Sequence, residues 1–258
     1  MASFAKQSEL AYLCRTLKAP SLFTGLERIV SAARQGDWSH EEFLEACLRK
    51  EVDARADHGG AARVKAAHFP GYKTLEDFDF STQRSVRKEV ISHLGALDFV
   101  VGKENVIFLG PPGTGKTHLA VALGIRACNS GHRVAFNTAT GWMARLLRAH
   151  ENDRLADELT RLARIPLLVI DEVGYIPFEP LAANLFFQLV SSRYERASVI
   201  ITSNKAFGRW GEVFGDASVA SAMIDRLVHH AEVISLKGDS HRMKNRGEGQ
   251  TATPTVSQ

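Results

Sequence analysis

Cysteine is scarce in this sequence. Cys14, Cys47 and Cys128 are the three among 258 residues, far apart, odd in number and without a C-x-x-C pair. They predict neither a disulfide framework nor a zinc site, and they suit a reducing cytoplasm, which is the expected location. Long apolar runs are missing too. None approaches the roughly 18 residues that a membrane span requires, so no membrane is expected among the partners. The opening stretch MASFAKQSELAYLC lacks a basic segment followed by an apolar one, and no signal peptide is expected. No internal repeat is visible. A strong charge imbalance is absent as well: the formal net charge of +3 leans only mildly toward polyanions and decides nothing alone. What is present, 45% hydrophobic and 24% charged residues, is the composition of a soluble globular protein with enough chain for one or two domains.

The texture changes once along the chain. Up to about Phe69 the pattern is helical throughout. Ser8 is placed to cap ELAYLCRTLK, Pro20 interrupts, and LFTGLERIVSAARQ stops at Gly36. Ser39 and Glu42 then have capping-box spacing for the next helix, which should end near Gly59-Gly60 and be followed by a short basic helical piece, AARVKAAHF. Residues 1–70 are therefore expected to form a small all-helical N-terminal domain, with Pro70-Gly71 as its boundary. Beyond it strands alternate with helices: NVIFLG, HRVAFN, PLLVID, SVIITSN and AEVISL are the strand candidates. Near-continuous apolar runs such as LLVI and VII suit parallel strands buried on both faces, so residues 71–244 predict an α/β domain with a parallel sheet. The polar tail 245–258 predicts disorder.

Chemistry concentrates first in FLGPPGTGKTHLA. Gly110, Gly115, Lys116 and Thr117 fit G-x-x-x-x-G-K-[ST], between a strand candidate and a helix candidate. Glycines let successive backbone N–H groups turn inward, and the following helix adds its positive amino-terminal end, so the loop suits phosphate. Gly110, Pro111, Pro112, Gly113, Thr114, Gly115, Lys116, Thr117 and His118 form the expected nucleotide-binding stretch. Lys116 would reach the β- and γ-phosphates of ATP, and the Thr117 hydroxyl would be a ligand of Mg²⁺.

A second constellation follows in LLVIDE. Asp171 and Glu172 come at the carboxyl end of an apolar strand, where ligands bind in open parallel sheets. Asp171 is the expected second Mg²⁺ contact, and Glu172 the group that polarises water for attack on the γ-phosphate. Two adjacent acids there imply hydrolysis. SVIITSN ends in Asn204, whose amide could orient that water, although Thr-Ser-Asn also makes a good turn.

The blocks GPPGTGKTHLAVALG, LLVIDEVGYIPF, LFFQLVSSRYERASVIITSN, MIDRLVHHAEVISLKGDSHR and FPGYKTLEDFDF closely resemble the IstB-like helper ATPases of insertion-sequence transposition, within the AAA+ superfamily. The similarity extends more thinly to DnaC-type helicase loaders. It runs from the N-terminal helices to about Lys244. The resemblance implies a five-stranded parallel sheet in the order 5-1-4-3-2, with the Asn204 strand between the phosphate loop and Asp171-Glu172, which makes Asn204 a sensor of the γ-phosphate. Arg226, in IDRL, matches the arginine finger that enters a neighbouring subunit's site. Arg242 matches a sensor arginine, although His241 stands where the family has tyrosine. Phe78 and Phe80 fall where adenine packs in related ATPases; the alternative for them is a staple between the N-terminal helices and the sheet.

The family's partners would be duplex DNA without strong sequence preference, the transposase of the same element, and further copies of the chain in a ring or spiral. Arg145 and Arg148 share a helix face in the segment where helicase loaders carry a helical element facing DNA. By that analogy Arg145, Arg148, Lys205 and Arg209 are the expected phosphate contacts, against the alternative of a solvated face neutralised by Glu151, Asp153, Asp157 and Glu158. The implied activity is ATP-dependent clamping and remodelling of target duplex together with stimulation of the transposase. A helicase loader acting on single-stranded DNA is the alternative. A small-molecule phosphotransferase fits least, because Glu172 is placed for water.

Overall fold

The computed structural model describes residues 2–238; Arg242 and the tail 245–258 lie outside the described residues. The chain divides into two compact units between Ala62 and Arg63, eight residues before the Pro70-Gly71 pair.

The first unit holds α1 (Ala2–Thr16), α2 (Pro20–Gly36) and most of α3 (His40–Ala67). Proline opens α2 because its fixed φ suits the first helical turn and its missing N–H is not needed there. Glu51 is buried and accepts a hydrogen bond from Leu22 N at 3.0 Å, placing a carboxylate at the start of α2. The capping box is formed: Ser39 N donates to Glu42 Oε2 at 2.7 Å and Glu42 N donates to Ser39 Oγ at 3.2 Å. The expected break at Gly59-Gly60 does not occur, because α3 runs straight through it. Each glycine costs a helix only about 1 kcal/mol against alanine, and the alanines around the pair are strong helix formers.

The second unit follows with α4 (Lys88–Leu94), α5 (Asp98–Val101), β1 (Asn105–Leu109), α6 (Lys116–Asn129), β2 (Val134–Thr138), α7 (Ala139–Glu151), α8 (Leu155–Ala163), β3 (Leu167–Val173), α9 (Pro180–Arg193), β4 (Ser198–Ser203), a 3₁₀ turn (Phe207–Arg209), α10 (Trp210–Phe214), α11 (Ala217–Val228) and β5 (Ala231–Ser235). All five expected strands form. The sheet order is β2-β3-β4-β1-β5, parallel throughout, which is the expected 5-1-4-3-2 read from the other edge.

Period-two alternation divides the core between the two faces of this sheet. Ile107, Leu168, Ile170 and Ile201 face α7, α9, α10 and α11, whereas Val106, Phe108, Val169 and Ile200 face α4, α5 and α6. The three central strands β1, β3 and β4 are buried on both sides, which explains their unbroken apolar runs, whereas the edge strand β5 exposes Glu232, Val233 and Ser235. Every strand therefore delivers its carboxyl end to one edge, where the loops to the following helices open.

Candidate active site

Between β1 and α6 the chain wraps a tight loop. Gly115 has φ +97 and is the N-cap of α6, and having no side chain it makes no capping bond, so among the described residues no N-cap side chain competes for the first amides of the helix. A Cβ on Gly115 would lie 2.6 Å from the ring of Phe78. Glycine is thus required both by the left-handed backbone and by the aromatic packed on it. Lys116 is buried, and its ammonium donates to the carbonyls of Gly110 and Pro111 at 2.7 Å each. The charge is held against the loop that it would serve.

The loop faces a cavity of about 600 Å³ whose walls include Gly113 to His118, Phe78, Thr138, Asp171 and Glu172. Cavities of roughly 300–1,000 Å³ accommodate small organic ligands. Phe78 lines it, while Phe80 stands behind Phe78 with ring centroids 4.8 Å apart. Both pack into the core under the loop. His118 Nε2 contacts Thr74 O at 2.7 Å and Gln83 Nε2 donates to Thr114 O at 3.1 Å, joining the 74–83 segment to the phosphate loop.

Asp171 is the buried hub of the polar groups. The Thr117 hydroxyl donates to its two oxygens at 2.9 and 3.1 Å, and the Thr202 hydroxyl donates to Oδ1 at 2.5 Å. A hydroxyl and a carboxylate in direct contact are the hard oxygen donors that Mg²⁺ takes, so Thr117 and Asp171 fit that ion. Thr202 carries a second bond, accepting from Glu172 N at 2.9 Å.

The register explains this geometry. Ile170 pairs with Ile201 and Val173 with Ser203, so Asp171 and Glu172 on β3 oppose Thr202 alone on β4. This is a β-bulge, a device that re-aims a side chain beside a site. Glu172 takes φ +63, uncommon for a residue with a side chain, and is exposed at the cavity while Asp171 is buried. Two adjacent acids thereby acquire opposite environments.

Asn204 follows β4, which lies between β1 and β3. Its Oδ1 is buried without a hydrogen-bond partner among the described residues. Beside it Gly174 has φ +94, and a Cβ there would come within 2.8 Å of Lys205 and 3.0 Å of Asn204 Oδ1. An orphaned acceptor next to the Asp171-Glu172 turn fits a group that takes its hydrogen bonds from a bound molecule.

Lys73 and Lys237 also line the cavity, whereas Arg145, Arg148, Lys205, Arg209 and Arg226 are not among its described lining residues. Arg226 on α11 stacks its guanidinium on Phe187 at 4.6 Å and donates to Ala222 O at 3.2 Å. Arg145 pairs with Glu158, which also accepts from Arg161, and lies over Trp142; Arg148 is exposed. Lys205 and Arg209 converge on one carboxylate, Glu212, at 3.2 and 2.9 Å. Arg209 and then Lys205 hold that carboxyl below the ordinary range. Three of the four expected phosphate contacts are thus engaged by neighbouring acids.

Sequence reasoning did not find Thr202, Gln83 or Asp79. Thr202 could have been found as a hydroxyl residue at the end of an otherwise aliphatic strand, and Asp79 as the start of an Asp-x-Ser-Thr turn. Asp79 accepts from the Ser81 and Thr82 hydroxyls at 2.6 Å each, bonds that hold its carboxyl far below the usual range. Gln83, which follows that turn, carries no signal in sequence. No helix among the described residues is long and apolar enough to cross a membrane.

The family described as IstB-like ATP binding protein matches residues 13–249. A protein of insertion sequence IS21 from Pseudomonas aeruginosa, named as ATP-binding, is 42% identical over 245 residues, covering 95% of this chain and 92% of the relative. A similarly named protein of insertion sequence IS5376 from Geobacillus stearothermophilus is 38% identical over 233 residues, or 90% and 93% of the two chains. Among solved structures, the DnaC helicase loader superposes with a TM-score of 0.52 at 21% identity, covering 68% of this chain and 99% of the loader, which is a likeness of fold.

Proposed function

Because the chain belongs to the IstB-like ATP binding protein family, we propose that it is an AAA+ ATPase of an insertion sequence that assembles on duplex DNA in its ATP-bound form, remodels the target and stimulates the element's transposase. The observation that carries the nucleotide part is the single hydrogen-bonded unit of Thr117, Asp171, Thr202 and Glu172 at the mouth of the phosphate loop.

In this reading the uncapped start of α6 and the turned amides of residues 113–117 receive the phosphates of ATP, and Lys116 leaves its carbonyl partners to pair with them. Thr117 and Asp171 would hold Mg²⁺, which would supply positive charge beside the phosphates. Glu172 accepts a proton from the attacking water, and its left-handed backbone aims the carboxylate into the cavity instead of along the strand. Asn204 Oδ1 accepts from that water or reports the γ-phosphate. Phe78 supports the base, with Phe80 behind it.

Arg226 acts on a neighbouring copy. It lies outside the cavity of its own chain, and its guanidinium is planar and always charged, so it suits charge spread over γ-phosphate oxygens across a subunit boundary. Assembly then depends on an intact triphosphate. Bending a short duplex costs about 1–6 kcal/mol, which phosphate contacts repeated along an oligomer offset. Arg148 is exposed for this purpose, and the solvent-screened pairs of Lys205 and Arg209 with Glu212 are weak enough for DNA phosphates to replace the carboxylate.

Binding of the purified chain to duplex and single-stranded DNA of equal length, with ATP, ADP or no nucleotide and at two salt concentrations, tests the proposal. Cooperative, ATP-dependent, salt-sensitive capture of duplex is expected. Preferential capture of single strands would overturn it in favour of helicase loading.

A further inference from the structure

At the edge of the sheet opposite the cavity, two chain corners meet. One is Tyr194–Glu195, between α9 and β4; the other is His229–His230, between α11 and β5. Glu195, His229 and His230 each offer one ligand atom, and the three atoms lie within 4.8 Å of one another. His230 Nε2 is 3.8 Å from Glu195 Oε1, and the two imidazole centroids are 4.3 Å apart. All three side chains are exposed.

Both corners are fixed from beneath. Arg193, almost wholly buried, donates to Leu162 O at 2.7 Å, Ile165 O at 2.9 Å and Ser198 O at 2.7 Å, anchoring the residue before Tyr194. Asn105 holds the other corner: its amide side chain donates to Leu227 O at 3.0 Å and its backbone N donates to His230 O at 2.7 Å. The backbones are thus set before any ligand arrives.

We propose that Glu195, His229 and His230 form a binding site for a zinc-class divalent transition-metal ion. Two imidazoles and one carboxylate suit zinc, cobalt, nickel or copper, whereas Mg²⁺ and Ca²⁺ favour oxygen ligands throughout. Ligands on a common tetrahedral ion at about 2.0–2.2 Å stand about 3.3–3.5 Å apart, a spacing that small rotations of exposed side chains reach. The Tyr194 hydroxyl lies 2.9 Å from His229 Nδ1. In the tautomer whose Nδ1–H donates to that oxygen, Nε2 keeps the lone pair for the metal, the arrangement in which an outer oxygen orients a ligating histidine. The carboxyl end of α11 presents the negative end of its dipole to the ion, while the nearby charges of Asp225 and Arg226 oppose one another. The bound ion clasps the corner before β4 to the corner before β5, and water completes its coordination.

Stripped with chelator and free of nucleotide and DNA, the full chain is titrated with Co²⁺, followed by its visible absorption, and then with Zn²⁺ as competitor. The same titrations are run on the variant carrying His229→Asn with His230→Asn, and on Tyr194→Phe. One saturable ion per chain, displaced by Zn²⁺, is expected, with loss of the site in the paired histidine variant and roughly 10–100-fold weaker uptake in Tyr194→Phe. Zn²⁺ should raise the melting temperature of the unaltered chain and not of the histidine variant. Without metal the histidine variant should keep its circular dichroism spectrum. Absence of saturable uptake, or uptake unchanged in the histidine variant, overturns the proposal. Neither result depends on ATP.

Discussion

The Thr202 hydroxyl donates to Asp171 Oδ1 at 2.5 Å and so ties the end of β4 to the buried acid of β3. The Thr202 hydroxyl oxygen in turn accepts from Glu172 N, so one small side chain fixes both the buried carboxylate and the left-handed turn that exposes the neighbouring glutamate. Thr202→Val keeps the shape and removes both bonds, leaving the Glu172 amide unmatched and Asp171 Oδ1 with Thr117 as its remaining hydroxyl donor, at a cost of about 1–3 kcal/mol. In steady-state kinetics kcat should fall while nucleotide affinity changes little, and Thr202→Ser should restore most of the rate. Unaltered kcat in Thr202→Val would remove Thr202 from the account.

Lys116→Ala takes away the cation of the phosphate loop. Calorimetry with ATP should then show no binding in the range where the unaltered chain saturates, and ATP-supported DNA binding should disappear with it. Retention of normal ATP affinity would mean that the loop amides suffice.

Gly174 is confined by its left-handed backbone and by Lys205 and Asn204. Gly174→Ala should destabilise the second unit by about 1–2 kcal/mol from the backbone alone, read as a lower urea midpoint with an unchanged slope. A midpoint equal to that of the unaltered chain would contradict the described turn.

Asp79 gives a pH dependence with a defined sign. Its folded carboxyl is depressed by bonds from Ser81 and Thr82, so the stability that it contributes is present above the ordinary carboxylate pKa of about 3.9 and is lost as pH falls through the lower folded value. Asp79→Asn should therefore be less stable than the unaltered chain near neutrality, with the gap narrowing below about pH 4. A gap that widens on acidification would reverse the assignment.

The sheet was legible because its central strands are buried on both faces, which forces apolar runs such as LLVI that the sequence displays. The loop residues from Gly110 to Thr117 were legible because phosphate binding needs fixed spacing along one stretch of chain. Gly59-Gly60 misled, since local propensity marks a break that the alanine-rich surroundings override. The Asp171–Thr202 bond and the bulge could not be read: they depend on a register between strands roughly thirty residues apart in sequence. The acids beside Arg145, Lys205 and Arg209 were partly visible as nearby glutamates, but not their convergence on single carboxylates. The histidine pair at 229–230 lacks meaning in sequence until Glu195 is brought alongside.

Arg226→Ala leaves the chain's own cavity intact. Nucleotide binding to the isolated chain should be unchanged, while hydrolysis and ATP-dependent assembly on DNA both fall. Full retention of both activities would exclude Arg226 from the neighbouring site.

The most direct measurement is the lifetime of the chain on duplex DNA in ATP, compared between the unaltered protein and Glu172→Gln by single-molecule fluorescence. If the triphosphate holds the assembly on DNA and Glu172 hydrolyses it, Glu172→Gln should bind ATP, turn it over poorly and remain on the duplex far longer than the unaltered chain. Equal lifetimes, or normal ATP turnover by Glu172→Gln, would contradict the account.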